Sequence, residues 1–488
     1  MDTRPAAAPI SHHLLPMNAA AEKDGMLSVS GVRLDELART FGTPLFVYDE
    51  DHLRARCREA LSAWGTGVAY ASKAFMCKAM ASLVYEEGLR IDVASGGEMY
   101  VAVSAGVPPS SLILHGNNKS EQELLKAFEY GVGSIVVDSL DELSRIAKIA
   151  PQFRDGQPSR QALMLRINPG IEAHTHEFIK TGQTDSKFGL SVSGSDAMEA
   201  VRVIKDMEGV FLSGIHSHIG SQVFNVHHFE EEIRIMVDLA GEIMAIPEME
   251  DRDEFELCIG GGLGVAYLAN EKAPSITEWA ETVKAAAMSS VISGARNDIP
   301  GDGSLRGGKA TVDDTSWNDA LRNNDGSRDD FDPRIGHSRL RITAEPGRAI
   351  AATAGMTVYS VGTVKDIRGV RTYLSVDGGM SDNPRPVLYG SGYEAFVARE
   401  VNAERGRAVR VVGEHCESGD VLIADASLPQ DVSVGDLLVT PVTGAYGYSM
   451  ASNYNKVPRP PVVFVSSGNA RLVVRGESLD DMCRLDVL

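Results

Sequence analysis

Eight short apolar runs recur between residues 68 and 345, most of them followed by a stretch of helical character. They are Val68–Ser72, Ile91–Ser95, Leu112–Gly116, Ser134–Ser139, Leu163–Asn168, Leu212–His218, Glu256–Gly260 and Leu340–Glu345. Helix-compatible segments such as Lys78–Glu87, Gly97–Ser104, Ser120–Tyr130, Leu140–Ile149 and Ile276–Ile292 lie between them. Strands that alternate with helices pair in parallel, because each helix returns the chain to the same edge of the sheet. Eight such units predict a (β/α)8 barrel, and an open doubly wound sheet is the other arrangement the alternation allows.

Polar and glycine residues gather at the C-terminal ends of these runs. Lys73 follows the first, and Ser95-Gly96-Gly97 closes the second. His115-Gly116-Asn117-Asn118, Asp138 and Asn168 close the next three. His218-Ile219-Gly220-Ser221-Gln222, Gly260-Gly261-Gly262-Leu263-Gly264 and Glu345-Pro346-Gly347-Arg348 end the last three. Barrel enzymes build their sites on that face, so the pattern predicts a barrel and a single site together.

Beyond about residue 350 the texture changes to strands separated by Gly, Asp and Pro turns: Met356–Asp366, Arg371–Val376, Val409–Gly413, Asp420–Ala424, Asp436–Val442 and Pro461–Val465. The expected fold class is thus α/β plus all-β, a barrel over 48–349 and a C-terminal β domain over 350–488. Residues 26–47, with the strand-like Pro44–Tyr48, are expected to pack with the β domain. A Gly/Asp/Asn/Arg-rich stretch, 293–338, reads as a low-order insert before the eighth strand, and residues 1–25 as a disordered leader.

At 488 residues the chain is too long for one small core. A net charge of -20 argues against nucleic acid, whose phosphates need a basic surface. No apolar run approaches the roughly 20 residues that span a bilayer, and the N-terminus lacks the layout of a signal peptide. Five scattered cysteines with no CxxC spacing fit a reducing cytoplasm and no structural zinc.

Lys73 ends an apolar run, where a lysine is uncomfortable unless it snorkels, finds a carboxylate or does chemistry. A desolvated lysine has a lowered pKa, and its neutral amine can form a Schiff base with a carbonyl cofactor. The glycines at 260–264 can bring backbone N–H groups to an anion or simply make a tight turn. They lack the lysine and hydroxyl of a P-loop, which disfavours a nucleotide. Glu345 is placed either to pair with Arg348 or Arg341, or to keep a pyridine nitrogen protonated. Strand alternation puts His216 and His218 on one face. With no Glu or Asp nearby in sequence to complete a metal site, His216 reads as a core histidine and His218 as a residue that stacks on a ring. Cys416 beside Glu417 is either an inert thiol or a proton donor.

Taken in order, these segments resemble the fold-type III pyridoxal-phosphate decarboxylases, and most closely the diaminopimelate decarboxylases among them. The similarity runs from Gly42-Thr43-Pro44 to the C-terminus, apart from the insert. It includes Tyr70-Ala71-Ser72-Lys73, Asp92-Val93-Ala94-Ser95-Gly96-Gly97-Glu98, Arg166-Ile167-Asn168-Pro169-Gly170, His174-Thr175-His176 with Lys187-Phe188-Gly189, Asp377-Gly378-Gly379-Met380 and Thr443-Gly444-Ala445-Tyr446.

The resemblance implies pyridoxal 5'-phosphate as cofactor and a homodimer with active sites at its interface. It also implies decarboxylation of meso-2,6-diaminopimelate to L-lysine and carbon dioxide. By the same carry-over Lys73 bonds the cofactor and His218 stacks on its ring. Ser221, the loop with Gly260, Gly261, Gly262 and Gly264, and the Pro346-Gly347-Arg348 turn hold its phosphate. Glu345 meets the pyridine nitrogen, and Tyr446 touches cofactor and substrate. Arg348, Arg385 and Tyr389 would clamp a distal carboxylate, Glu417 the distal ammonium, and Cys416, or Lys73 itself, would return a proton, with Cys416 and Glu417 coming from the partner subunit. Decarboxylation of ornithine or arginine is the nearest alternative. Alanine racemases share the barrel but place an arginine at the pyridine nitrogen, and a cofactor-free homologue would have dropped some of these residues.

Overall fold

The computed structural model describes residues 8–153, 160–171, 186–246, 253–297, 334–335 and 338–488. All eight expected runs are strands: Ala69–Ala71, Arg90–Val93, Leu112–Leu114, Ser134–Val137, Gln161–Asn168, Val210–Ser217, Glu254–Cys258 and Ser338–Thr343. They pair parallel and in chain order. The ring closes where the Ala69 N–H donates to the Ala344 carbonyl at 3.0 Å and the Ala71 N–H to the Pro346 carbonyl at 3.3 Å. An open sheet leaves those edges unpaired, so the barrel is the correct alternative.

Helices return the chain between strands. Ser95, Ser120 and Ser139 each cap one by accepting the backbone N–H of a glutamate three residues on, the Ser-x-x-Glu pattern that starts a helix. Asp196–Asp206 and His227–Met244 add to this ring, and Ile276–Asn297 runs five residues past its expected end. The first residues of the stretch read as a low-order insert are therefore helical. Its central part, 298–333, lies outside the described residues, as does the His174-Thr175-His176 motif.

Inward-facing residues stack in layers, because strand side chains alternate with period two. The middle layer is apolar and forms its own cluster: Ala69, Ile113, Val136, Met164 and Cys258. Two residues earlier along the strands, Glu256 accepts hydrogen bonds from Arg90, Arg341 and Thr343. Two residues later come Asp92, His115, Asp138 and Arg166, all buried beneath the C-terminal face of the barrel.

The β domain takes Leu45–Asp49 as a central strand, antiparallel to Gly355–Val358 and parallel to Val462–Val465. This first strand of the β domain runs directly into the barrel's opening helix, Glu50–Trp64. The other expected β strands are present within a few residues of their expected limits. Phe396–Val397 and Asn469–Val474 are additional.

One expectation fails. Residues 8–25, read as part of a disordered leader, are structured: Ile10, Leu14 and Leu15 are buried, and Ala19–Ala21 pairs with Leu27–Val29. The Asn18 N–H donates to Asp49 at 2.9 Å. Three apolar side chains spaced along a polar segment were enough to dock it, a packing gain that composition alone hides.

Candidate active site

A cavity of about 730 Å³ opens over the C-terminal ends of the strands, and Lys73 lies in its wall. The strand Ala69–Ala71 stops in a 3-10 turn, Ser72–Ala74, which turns Lys73 outward while Ser72, Ala74 and Phe75 stay buried. Glu98 holds that turn, accepting the Ser72 hydroxyl at 2.9 Å and the Ala94 N–H at 2.7 Å. The expected desolvation of Lys73 is not seen: its side chain is exposed to the cavity. The ring of Tyr446, from the β domain, lines the same cavity. Its backbone has φ of +61°, unusual for a residue with a side chain, and its N–H donates to the Ala74 carbonyl at 2.8 Å.

At the cavity floor Glu345 is gripped by two histidines. His115 Nε2 lies 3.0 Å from one carboxylate oxygen and His216 Nε2 3.0 Å from the other. Burial opposes the charge, yet the two imidazoles hold Glu345 ionised, well below the usual carboxylate range. Burial lowers His216 to about 4, so it donates as a neutral ring. For His115, burial is outweighed by the nearby Asp92 and Glu345 carboxylates, and its pKa rises.

This corrects two sequence readings. Glu345 pairs with neither Arg348 nor Arg341, and His216 does have a carboxylate beside it, supplied by the eighth strand. The three side chains carry metal-ligating atoms within 4.8 Å of one another, and here they are joined as a hydrogen-bonded set.

His218 is held neutral, chiefly by burial, with the positive charge of Lys73 acting the same way. Its Nδ1 accepts the Gly261 N–H at 3.3 Å, which fixes the ring plane. Close approach explains the glycines here. A Cβ on Gly261 would meet the Glu345 carbonyl at 2.4 Å, one on Gly262 the Gly220 carbonyl at 2.3 Å, and one on Gly347 the Ala71 carbonyl at 2.9 Å. Gly261, Gly262, Ser221, Gly347 and Arg348 line the cavity. Gly260, Gly264 and Pro346 stand behind the wall. The Gly264 N–H is taken by the Val223 carbonyl at 2.9 Å, and Gly260 and Pro346 accept hydrogen bonds from Glu345 and Ala71.

At the far end Arg348 and Arg385 face the cavity while only 8% and 4% exposed. Neither has a carboxylate partner among the described residues. Their N–H groups go to hydroxyls: Arg348 to Tyr267 at 2.6 Å and Ser221 at 2.8 Å, Arg385 to Tyr267 at 3.0 Å and Ser391 at 3.0 Å. The Nε of each is unpaired. Buried guanidinium groups without an anion are costly, so an anion at this end of the cavity would be stabilised. Tyr389 lines it as well.

Cys416 and Glu417 lie outside the cavity, exposed on a loop of the β domain. Tyr267, His115 and Arg166 line the cavity although no role was read for them in the sequence. His115 had its strand-end position as a signal and Arg166 its place in the Arg166–Gly170 motif; Tyr267 follows the glycine cluster with no pattern of its own.

An amine-bearing lysine, a neutral histidine, an ionised carboxylate at the floor and a cradle of close-packed glycines are a set that suits a pyridoxal phosphate. A family model described as the pyridoxal-binding domain of pyridoxal-dependent decarboxylases matches residues 50–299. The chain belongs to that family. Among curated members, the diaminopimelate decarboxylase of Mycobacterium tuberculosis (strain H37Rv) is 40% identical over 98% of both chains. That of Bacillus subtilis is 39% identical over 95% of each. The solved diaminopimelate decarboxylase of M. jannaschii in complex with L-lysine superposes with a TM-score of 0.80 at 29% identity, covering 97% of this chain and 98% of that one. This pyridoxal-dependent decarboxylase is therefore a lyase with a barrel and a β domain, and no helix among its described residues is long and apolar enough to cross a membrane.

Proposed function

We propose that the enzyme removes the carboxylate at one end of meso-2,6-diaminopimelate, releasing L-lysine and carbon dioxide. One observation carries the substrate: Arg348 and Arg385 are buried, cavity-facing and without a carboxylate partner among the described residues. A planar guanidinium binds carboxylate in bidentate fashion, and a substrate with a second carboxylate supplies what the pair lacks. Ornithine carries no distal carboxylate and leaves both unpaired. The name of the lysine-bound structure cited above agrees with this choice.

In this reading Lys73 holds pyridoxal 5'-phosphate through its amine, and Ser221, Gly261, Gly262 and the Gly347–Arg348 turn hold the phosphate. The bound cofactor supplies the electron sink for the pair released as carbon dioxide leaves. Glu345, kept ionised by His115 and His216, would keep the ring nitrogen protonated, and His218 would stack on the ring. Tyr389 and Tyr446 close the sides. Cys416 and Glu417 come from a second copy of the chain in a homodimer, Cys416 returning the proton and Glu417 binding the distal ammonium. Five free cysteines suit a reducing cytoplasm.

Carbon dioxide release from meso-diaminopimelate and from ornithine tests the substrate. Sites built to bind a polar group reject analogues that lack it strongly, so a preference of about 10³-fold or more in kcat/KM is expected. Equal rates, or faster ornithine turnover, overturn the reading.

The shared site has its own test. Cys416→Ala should slow product formation while cofactor loading stays normal. Mixed with an inactive Lys73→Ala chain, it should regain about a quarter of wild-type turnover, because half of random dimers hold one intact site out of two. Mixtures that recover nothing show that the two residues do not meet across subunits.

A further inference from the structure

The two cavity-facing arginines share one acceptor, the Tyr267 hydroxyl, with Arg348 Nη1 at 2.6 Å and Arg385 Nη1 at 3.0 Å. A phenol oxygen has two lone pairs and one hydrogen. With the oxygen accepting from both guanidinium N–H groups, the hydroxyl hydrogen is left for a further acceptor, and the side chain lines the cavity. The ring is fixed in place. It lies 4.8 Å from the Arg385 guanidinium and 5.9 Å from that of Arg348, with Tyr393 edge-on at 5.1 Å. The backbone is pinned by Glu271, which accepts the Tyr267 and Leu268 N–H groups at 2.7 and 3.1 Å.

We propose that Tyr267 is a substrate-binding residue: it spaces the two guanidinium groups and donates its own hydrogen to the ligand carboxylate that they bind in the cavity. This rests on the distal-carboxylate reading above and adds to it a neutral donor. Two cations alone accept any anion; a fixed hydroxyl between them selects a group with an oxygen at that point.

L-Lysine, which keeps the distal carboxylate, and cadaverine, which lacks it, separate the roles when both are used as competitive inhibitors of the holoenzyme. Tyr267→Phe removes one oxygen. If the hydroxyl donates, the variant should bind L-lysine about tenfold more weakly, a typical loss for a hydrogen bond to a charged group. It should bind cadaverine within about twofold of wild type, and raise KM for meso-diaminopimelate more than it lowers kcat. Retained cadaverine binding shows in the same experiment that the site is folded. If the tyrosine only occupies N–H groups that the carboxylate would otherwise take, L-lysine binds equally or more tightly, and the proposal fails. Equal losses for both inhibitors also overturn it. Wild-type enzyme that does not distinguish L-lysine from cadaverine refutes the distal-carboxylate reading itself, and Tyr267's role with it.

Discussion

A Lys73→Ala protein is expected to lose turnover by on the order of 10³-fold or more, together with the visible absorbance of lysine-bound pyridoxal. Lys73 sits in the cavity wall on a turn fixed by Glu98 and by the Tyr446 loop, so the amine is held at one place. Truncating its side chain touches no buried packing, because Lys73 is exposed to the cavity in an otherwise buried run. With both proteins freed of cofactor, thermal stability should therefore stay close to that of wild type, which separates loss of chemistry from loss of fold. Borohydride treatment should bleach and fix the absorbance in wild type and leave the variant unchanged. Normal turnover by Lys73→Ala removes the residue from the proposed role.

Glu256→Ala is expected to cost about 3 kcal/mol of stability, the largest effect foreseen outside the site. Glu256 is buried in the barrel between Arg90 and Arg341, and Thr343 donates to it at 2.7 Å. Removing it takes the carboxylate away from the half-buried Arg90 and leaves Arg341 with Glu254 at 3.1 Å alone, while the buried Thr343 hydroxyl loses its acceptor. Burial alone raises a carboxylate's pKa, but Arg90 and Arg341 outweigh it and hold Glu256 below its ordinary 4.5. A lowered folded pKa contributes stability that is complete above about pH 4.5 and is lost as pH falls through the folded value. Denaturant melts at neutral and acid pH should show a large gap between wild type and variant that narrows on acidification. A gap under about 1 kcal/mol at neutral pH, or one that widens in acid, contradicts this account.

Much of the architecture was legible because it is local. Barrel-strand runs of five to seven residues, helical stretches between them, and glycine or polar residues at strand ends all announce themselves within a dozen positions. Residues 8–25 were misread because their three docked apolar side chains resemble nothing periodic. At the site, Lys73, His218, Ser221, Gly261, Gly262, Gly347, Arg348, Arg385, Tyr389 and Tyr446 line one cavity. Gly260, Gly264 and Pro346 shape it from behind. The partners of Glu345 were invisible, since its carboxylate meets His115 from 230 positions earlier and His216 from 129 positions earlier.

The sequence by itself determined the barrel and the face that carries the site. Each of these follows from short-range periodicity and from residue types that are uncomfortable anywhere else. Only the tertiary structure decided which charges are matched. Barrel closure sets the register that brings Glu345 between two histidines and satisfies it, while it leaves Arg348 and Arg385 sharing one tyrosine hydroxyl. Hydrogen-bond partners are chosen by three-dimensional register rather than by spacing along the chain. The unmet positive charge that points to the substrate therefore exists only once the ring of strands has closed.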